Sequence, residues 1–310
     1  MLSLVSIVIP TYKRAHAIEE AINSVKSQTY PHWELIVVDD NCPQSAERKH
    51  TENVMSQFQH DQKIKYVKHD SNQGACKARN TGLLHANGKY IAFLDDDDVW
   101  LEIKLERQVK QLEKSNAALC YSDMNLEYQG RKKYFKCISS EKLFEKLLNQ
   151  GFGICTSAFL ITKDSLLAIN GFDDNLPSMQ DYDLLLRLAE RFECDYIPEA
   201  LLTYQLAEDG ISCNPTNKAN GHRAIISKYK SKYQELGLLI GLSRQYESLA
   251  DFELRRGQRM VALKNYYKAL SYKFVNYRVI LKILFGGVLG KMPLEAYLKA
   301  RQDFSSTKMN

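Results

Sequence analysis

Short β-branched or apolar runs alternate with amphipathic stretches over the first 125 residues, as they do when strands and helices follow one another in a parallel sheet. Val5-Ser6-Ile7-Val8-Ile9 predicts the first strand, and Ala17, Ile18, Ala21, Ile22 and Val25 then share one helical face that ends before Pro31. Leu35-Ile36-Val37-Val38 predicts a second strand, stopped by Asp39-Asp40-Asn41, and Lys65-Tyr66-Val67 a third. A helix is expected over 75–85, then a fourth strand, Tyr90-Ile91-Ala92-Phe93-Leu94, that terminates in Asp95-Asp96-Asp97-Asp98. Leu101, Leu105, Val109 and Leu112 mark the next helix, 117–121 and 158–162 two more strands, and 181–191 a helix between Pro177 and Pro198. After Pro215 the strand signals vanish. Leu242, Tyr246, Leu249 and Ala250, then Leu263, Tyr266, Tyr267 and Leu270, occupy helix faces separated by Gly257. The expected fold is α/β, a Rossmann-like, mostly parallel sheet flanked by helices over 1–214, with an all-helical extension over 215–310.

Composition excludes whole classes. With 310 residues, 45% hydrophobic and 25% charged, the chain is neither disordered, collagenous nor a disulfide scaffold. Its 7 cysteines are odd in number, scattered and without a C-x-x-C pair, which points to a reducing compartment. The apolar opening lacks a basic leader and reads as a strand, not a signal peptide. The longest apolar candidate for a membrane span, 279–289, is short and broken by Lys282. A cytoplasmic protein, or one peripheral at the inner face of the cell membrane, is expected.

Charge is distributed unevenly: residues 1–214 carry −7 and residues 215–310 carry +12, for a total of +5. Such basic helices could rest on an anionic membrane surface where a lipid-linked acceptor is found. The plainer alternative is a helical cap whose basic face meets water. The faint tetratricopeptide echo over 249–270 is one repeat, too few to form an array. Nucleic acid is not an expected partner, because no recognition module accompanies the basic residues.

In a parallel sheet, ligands bind beyond the carboxyl ends of the strands. Here those ends are acidic, and clustered carboxylates repel one another unless something positive sits among them. A divalent cation is the simplest partner. Oxygen-only donors, with no His or Cys close by, suit Mg²⁺ or Mn²⁺ completed by phosphate oxygens, and the spacing is not that of a calcium loop.

The blocks running from Val5 through Pro10-Thr11-Tyr12-Lys13-Arg14, Glu34 through Asp39-Asp40, Asn72-Gln73-Gly74 through Ala78-Arg79-Asn80-Thr81-Gly82, Phe93 through Asp98, Gly171-Phe172-Asp173, and Gln180-Asp181-Tyr182-Asp183 resemble, in order, those of family 2 glycosyltransferases with the GT-A fold. The resemblance covers residues 5–190 or so. It implies that Pro10, Thr11, Tyr12, Arg14, Asp40, Arg79, Asp95 and Asp96 surround the nucleotide-sugar donor, with Asp40 accepting from the uracil imide. Asp95 and Asp97 are the ends of a D-x-D motif, with Asp97 the direct metal ligand, and Asp98 orients it. Asp181 falls on the family's catalytic aspartate, a general base for an inverting transfer.

Two departures stand out: Gln180 where the pattern usually reads Glu, and Ala207 where many relatives carry a histidine. The Q-x-x-R-W element of processive relatives is absent. The expected activity is metal-dependent, inverting transfer of one sugar from a nucleotide sugar, a UDP-sugar foremost, to a glycan or lipid-linked acceptor in surface-polysaccharide biosynthesis. A sugar nucleotidyltransferase is the alternative enzyme, though it would want a Gly-rich loop after strand one; a nicotinamide dehydrogenase would need G-x-G-x-x-G there. A degenerate transferase fold serving as a scaffold is the non-enzymatic alternative, disfavoured by the complete Asp40, Asp95, Asp97 and Asp181 set.

Overall fold

The computed structural model describes residues 2–151, 153–206, 214–273 and 276–284. The chain divides into two compact units. The first lies within 1–144, 152–175 and 180–207, and the second within 145–151, 176–179 and 208–310.

The first unit begins with β1 (Val5–Thr11), buried at every position as a strand covered on both faces must be. It continues through α1 (Ile18–Lys26), β2 (Trp33–Asp39), α2 (Ala46–Met55), β3 (Ile64–Lys68), α3 (Ala75–His85) and β4 (Tyr90–Phe93). These strands pair in the order β3-β2-β1-β4, all parallel. β4 stops early. Val8 O accepts from Leu94 N (3.0 Å), so Pro10, two residues on and facing the same side, lies past the end of β4 where its missing N–H is not required.

Beyond β4 the sheet becomes mixed. The elements are β5 (Val99–Trp100), α4 (Lys104–Ser115), β6 (Leu119–Tyr128), β7 (Arg131–Phe135), α5 (Leu143–Gln150), β8 (Leu160–Thr162), α6 (Lys163–Ala168), α7 (Gln180–Arg191) and β9 (Cys194–Gln205). The full order is β3-β2-β1-β4-β8-β6-β9-β5, with β7 hairpinned onto β6. β8 runs antiparallel to both neighbours, whereas β9 is parallel to β6. Pro198 inside β9 reads in sequence as a breaker. The ladder steps from Ser122↔Ile197 to Asp123↔Ala200, so Pro198 and Glu199 are carried in a bulge and the strand continues.

The second unit contains α8 (Pro215–Glu235), α9 (Leu239–Arg255), α10 (Arg259–Tyr272) and α11 (Tyr277–Lys282). Asn214 caps α8 by accepting from Thr216 N and Asn217 N, with Pro215 in the first turn. Gly237 and Gly257, both left-handed, close α8 and α9. Leu242, Leu249 and Ala250 are buried on α9, and Ala262, Tyr266 and Ala269 on α10. Two short segments from earlier in the chain join this unit for identifiable reasons. Asn217 O accepts from Ser178 Oγ (3.0 Å), and α9 approaches the end of α5 so closely that a Cβ on Gly241 would lie 2.0 Å from Leu148 O. Part of the basic charge is used internally: Glu253, 1% exposed, pairs with Arg223 and Arg256, and Lys282, 3% exposed, pairs with Glu247 (2.8 Å) and Asp251 (2.5 Å). Ala207 and residues 285–289 of the apolar candidate segment lie outside the described residues.

Candidate active site

Parallel pairing of β2, β1 and β4 brings their carboxyl ends side by side, and the residues expected around a donor gather there. Asp40 N donates to Thr11 O (2.9 Å), joining the first two ends. Lys13 adopts a left-handed φ of 61° and donates its N–H to Asn41 Oδ1 (3.0 Å). This turns the chain so that Tyr12 is exposed while Arg14 reaches the acidic turn after β4.

Asp95 to Asp98 form that turn, with Asp98 N donating to Asp95 O (3.0 Å). Two arginines sit among the carboxylates. Arg14 pairs with Asp97 and approaches Asp96 at 3.5 Å; Arg79 pairs with Asp95 through Nη2 at 2.5 Å. Two guanidiniums against four carboxylates leave the cluster short of positive charge. Burial pushes Asp96 up to about 7, against the pull of the Thr11 hydroxyl. Asp97 is raised by burial and then by Asp95, and Asp98 is raised well above the carboxylate range by burial and then by Asp95 and Asp97.

Asp98 is 1% exposed. Its carboxylate accepts from Ser157 Oγ (2.5 Å) and Gln205 N (3.1 Å), which ties the turn to the 3₁₀ segment Thr156–Ala158 and to the end of β9.

Asp40 is engaged by its own loop. Its Oδ1 accepts from His69 Nδ1 and Gln73 N, and its Oδ2 from Asn72 Nδ2 and Gly74 N, all at 2.8–2.9 Å. A carboxylate offers about four lone-pair directions, and four donors meet this one. Asp40 fixes the loop that starts α3, where Gly74 takes φ 88°, and so fixes the helix that carries Arg79.

Arg79 links the two ends of the site. It is 7% exposed; burial alone would lower its pKa, but the adjoining Asp95 carboxylate raises it, so the guanidinium keeps its charge. Nη1 donates to Gln180 Oε1 (3.4 Å), the plane lies 5.3 Å from the Phe172 ring centroid, and Nε is buried without a hydrogen-bond partner. Phe172 packs edge-on against Phe93 (5.0 Å). Asn80 holds it there by accepting from Phe172 N and donating to Phe172 O, both 2.9 Å. Asp181 stands in the first turn of α7, accepts from Tyr182 N (2.8 Å), and its charge reaches Arg79. Asp183, fully buried, pairs instead with Arg187 (2.7 Å) and is structural.

The donor chemistry fits a hard divalent ion: all-oxygen, with Asp95 and Asp97 on one turn and negative charge in excess. Among the described residues no three or more His, Cys, Asp or Glu side chains form a complete metal cage. An ion there would complete its shell with water and phosphate oxygens, as Mg²⁺ commonly does. Sequence reasoning missed Ser157, Trp100, His69 and the pairing of Arg14 with Asp97. Asn72 sat within a motif block and could have been found; Ser157 carried no signal.

Comparison with known proteins identifies the family and the fold. The model for "Glycosyl transferase family 2" matches residues 6–168. The UDP-Glc:alpha-D-GlcNAc-diphosphoundecaprenol beta-1,3-glucosyltransferase WfgD of Escherichia coli is 32% identical over 270 residues, covering 85% of this chain and 92% of WfgD. Among solved structures, S. aureus TarS 1–349 in complex with UDP-GlcNAc aligns with a TM-score of 0.61 at 17% identity, over 89% of this chain and 82% of that one. The mannosyltransferase PcManGT from Pyrobaculum calidifontis, in complex with GDP-Man and Mn2+, aligns with a TM-score of 0.58 at 17% identity, over 97% and 80%. The chain is a glycosyltransferase of family 2, built on the GT-A fold.

Proposed function

We propose that this enzyme transfers a single sugar from a UDP-sugar to a hydroxyl of a lipid-linked, diphosphate-bearing glycan in surface-polysaccharide biosynthesis, with inversion at the anomeric carbon. The observation that carries the reading is the convergence of Arg14, Arg79 and the Asp95–Asp98 turn at the carboxyl ends of β1 and β4, with Asp181 in electrostatic reach of Arg79. The full-length similarity to WfgD, whose name specifies UDP-glucose and a diphosphoundecaprenol acceptor, supports the donor and acceptor classes.

Asp97, with Asp95, holds the divalent ion, Mn²⁺ or Mg²⁺, and that ion supplies neutralisation of the charge gathering on the departing diphosphate. Thr11 and Tyr12 flank the nucleotide, in a cleft shaped from below by the Asp40-held loop. Arg79 keeps its charge in a buried setting, where a cation acts strongly on phosphate oxygens. Asp181 accepts the acceptor hydroxyl's proton as its oxygen attacks in line from the face opposite the nucleotide. Gln180 at the preceding position leaves Asp181 without a carboxylate immediately beside it.

The second unit, 215–310 with its two added segments, acts as a basic module resting on an anionic membrane surface at the cytoplasmic face. No described helix is long and apolar enough to cross a membrane. The described cysteines are free thiols.

A nucleotide-release assay across UDP-, GDP- and dTDP-sugars, in Mn²⁺ and in chelator, tests the donor class. Product configuration read by NMR tests the mechanism: retention relative to the donor would exclude single displacement.

A further inference from the structure

We infer that Ser157 is a positioning residue for the metal- and diphosphate-binding turn, and that it sets the enzyme's affinity for the metal–nucleotide pair. The inference rests on the donor-site reading above.

The four-aspartate turn is not self-supporting. Its one internal hydrogen bond runs from Asp98 N to Asp95 O, and its carboxylates repel one another. Ser157 clamps both ends. The fully buried hydroxyl donates to Asp98 Oδ2 at 2.5 Å and accepts from Asp95 N at 3.0 Å, so one oxygen spans the turn from first residue to last. No other side chain among the described residues is recorded bonding to both.

Ser157 is itself held from behind. Trp100 Nε1 donates to Ser157 O (2.9 Å), and Gln108 Nε2 donates to the next carbonyl, Ala158 O (2.8 Å). Trp100 and Gln108 are in turn fixed by Lys104, whose ammonium donates to Gln108 Oε1 (2.6 Å) and lies 4.0 Å from the Trp100 ring centroid. Every side chain in this support is essentially buried: Ser157, Lys104 and Gln108 are 0% exposed and Trp100 is 2%. Such a buried, fully bonded support fixes a site more finely than the loop bearing the ligands could alone.

The consequence is specific. Without the Ser157 hydroxyl, Asp95 N–H loses its acceptor and Asp98 one of its donors, and the like-charged turn is free to open. The cost falls on the state in which Asp95 and Asp97 must converge, which is the state with ion and diphosphate bound. Losing two buried hydrogen bonds corresponds to about tenfold in affinity.

The experiment is calorimetric titration of the full-length protein with UDP in saturating Mn²⁺. Ser157→Ala removes one oxygen and is expected to raise the Kd for UDP about tenfold, with turnover at saturating donor and metal within about threefold of wild type. Ser165→Ala deletes a different buried hydroxyl, one bonded to Thr162 Oγ1, and is expected to leave the Kd unchanged. A Ser157→Ala protein that binds UDP as wild type does, or that loses turnover with no change in Kd, overturns the inference while the donor-site reading stands. Wild type that binds no UDP overturns both. If Ser157→Ala does not fold, Trp100→Phe, which removes the indole N–H behind Ser157 O together with part of the ring, should weaken UDP in the same direction by a smaller factor; an unchanged Kd there overturns the inference equally.

Discussion

Lys104 is fully buried on α4 with no carboxylate beside it; Gln108 Oε1 and the face of Trp100 are its recorded partners. Burial lowers its pKa from 10.5 to about 7. At ~1.4 kcal/mol per pH unit, the folded state works against the charged amine by roughly 5 kcal/mol. Lys104→Met removes that cost. It also forfeits a cation–π contact worth ~2 kcal/mol and leaves Gln108 Oε1 unpartnered at ~1–3 kcal/mol. At pH 7 the variant is therefore expected to lie between equal stability and about 2 kcal/mol more stable, by the difference of these terms.

The pH dependence discriminates further. Between pH 7 and 10.5 the unfolded chain holds a proton on Lys104 that the folded chain does not, so wild type gains stability as pH rises through that window; the full penalty is present below it. Methionine has no such dependence. From pH 7 to 9 wild type should gain about 2 kcal/mol relative to Lys104→Met, somewhat under two full pH units at ~1.4 each because Lys104 is half protonated in the folded chain at pH 7. Urea denaturation at pH 7, 8 and 9, followed by tryptophan fluorescence, measures the change. The chain's 2 tryptophans, Trp33 and Trp100, both belong to the first unit, so the signal reports that unit. A variant-minus-wild-type difference constant across that range would refute the reasoning.

Other expectations are simpler to state. Asp181→Asn keeps the side chain's shape but cannot take a proton, so turnover should fall at least ~10²-fold with UDP affinity nearly unchanged; retained turnover would remove Asp181 from the base role. Arg14→Gln withdraws a cation from Asp96 and Asp97, so Mn²⁺ alone should bind more tightly than to wild type; unchanged Mn²⁺ titration, read by electron paramagnetic resonance, would mean the pair carries no weight. Gly241→Ala drives a Cβ to 2.0 Å from Leu148 O and should lower the stability of the second unit by ~1–3 kcal/mol, read by calorimetric melting. Full-length protein should sediment with anionic vesicles at low salt and be released as salt rises, with little binding to neutral vesicles; indifference to anionic vesicles would leave the basic helices facing only water.

The parallel half of the sheet was legible because its strands are continuous apolar runs and its turns are acidic or Gly-rich; the helix expected over 75–85 is observed as Ala75–His85. α2 was not, since only Arg48, Thr51 and Met55 are buried on it and two of those are polar. β9 was hidden by Pro198, whose bulge is visible only once a partner strand is present. The apolar spacing that marks α4 singles out Leu105, Val109 and Leu112 but not Lys104 and Gln108, which lie on the same buried side. In the candidate site, residue type and order were enough to single out the acidic turn and Asp181 as candidates. They could not show that Asp40 is saturated by its own loop or that Arg14 and Arg79 already sit on the D-x-D motif, because those contacts join residues as much as 83 positions apart.

The measurement closest to the central claim is calorimetric titration of UDP into wild type and Asp97→Ala, each in Mn²⁺ and in EDTA. On the proposed reading a diphosphate approaches the Asp95 and Asp97 carboxylates, and close like charges disfavour that approach without a cation between them. Wild type should bind UDP in Mn²⁺ and lose that binding in EDTA, while Asp97→Ala should bind weakly in both. Equal UDP affinity for wild type with and without Mn²⁺, or an Asp97→Ala protein that binds UDP in Mn²⁺ as tightly as wild type, would contradict the assignment of the Asp95–Asp98 turn as the metal–diphosphate site.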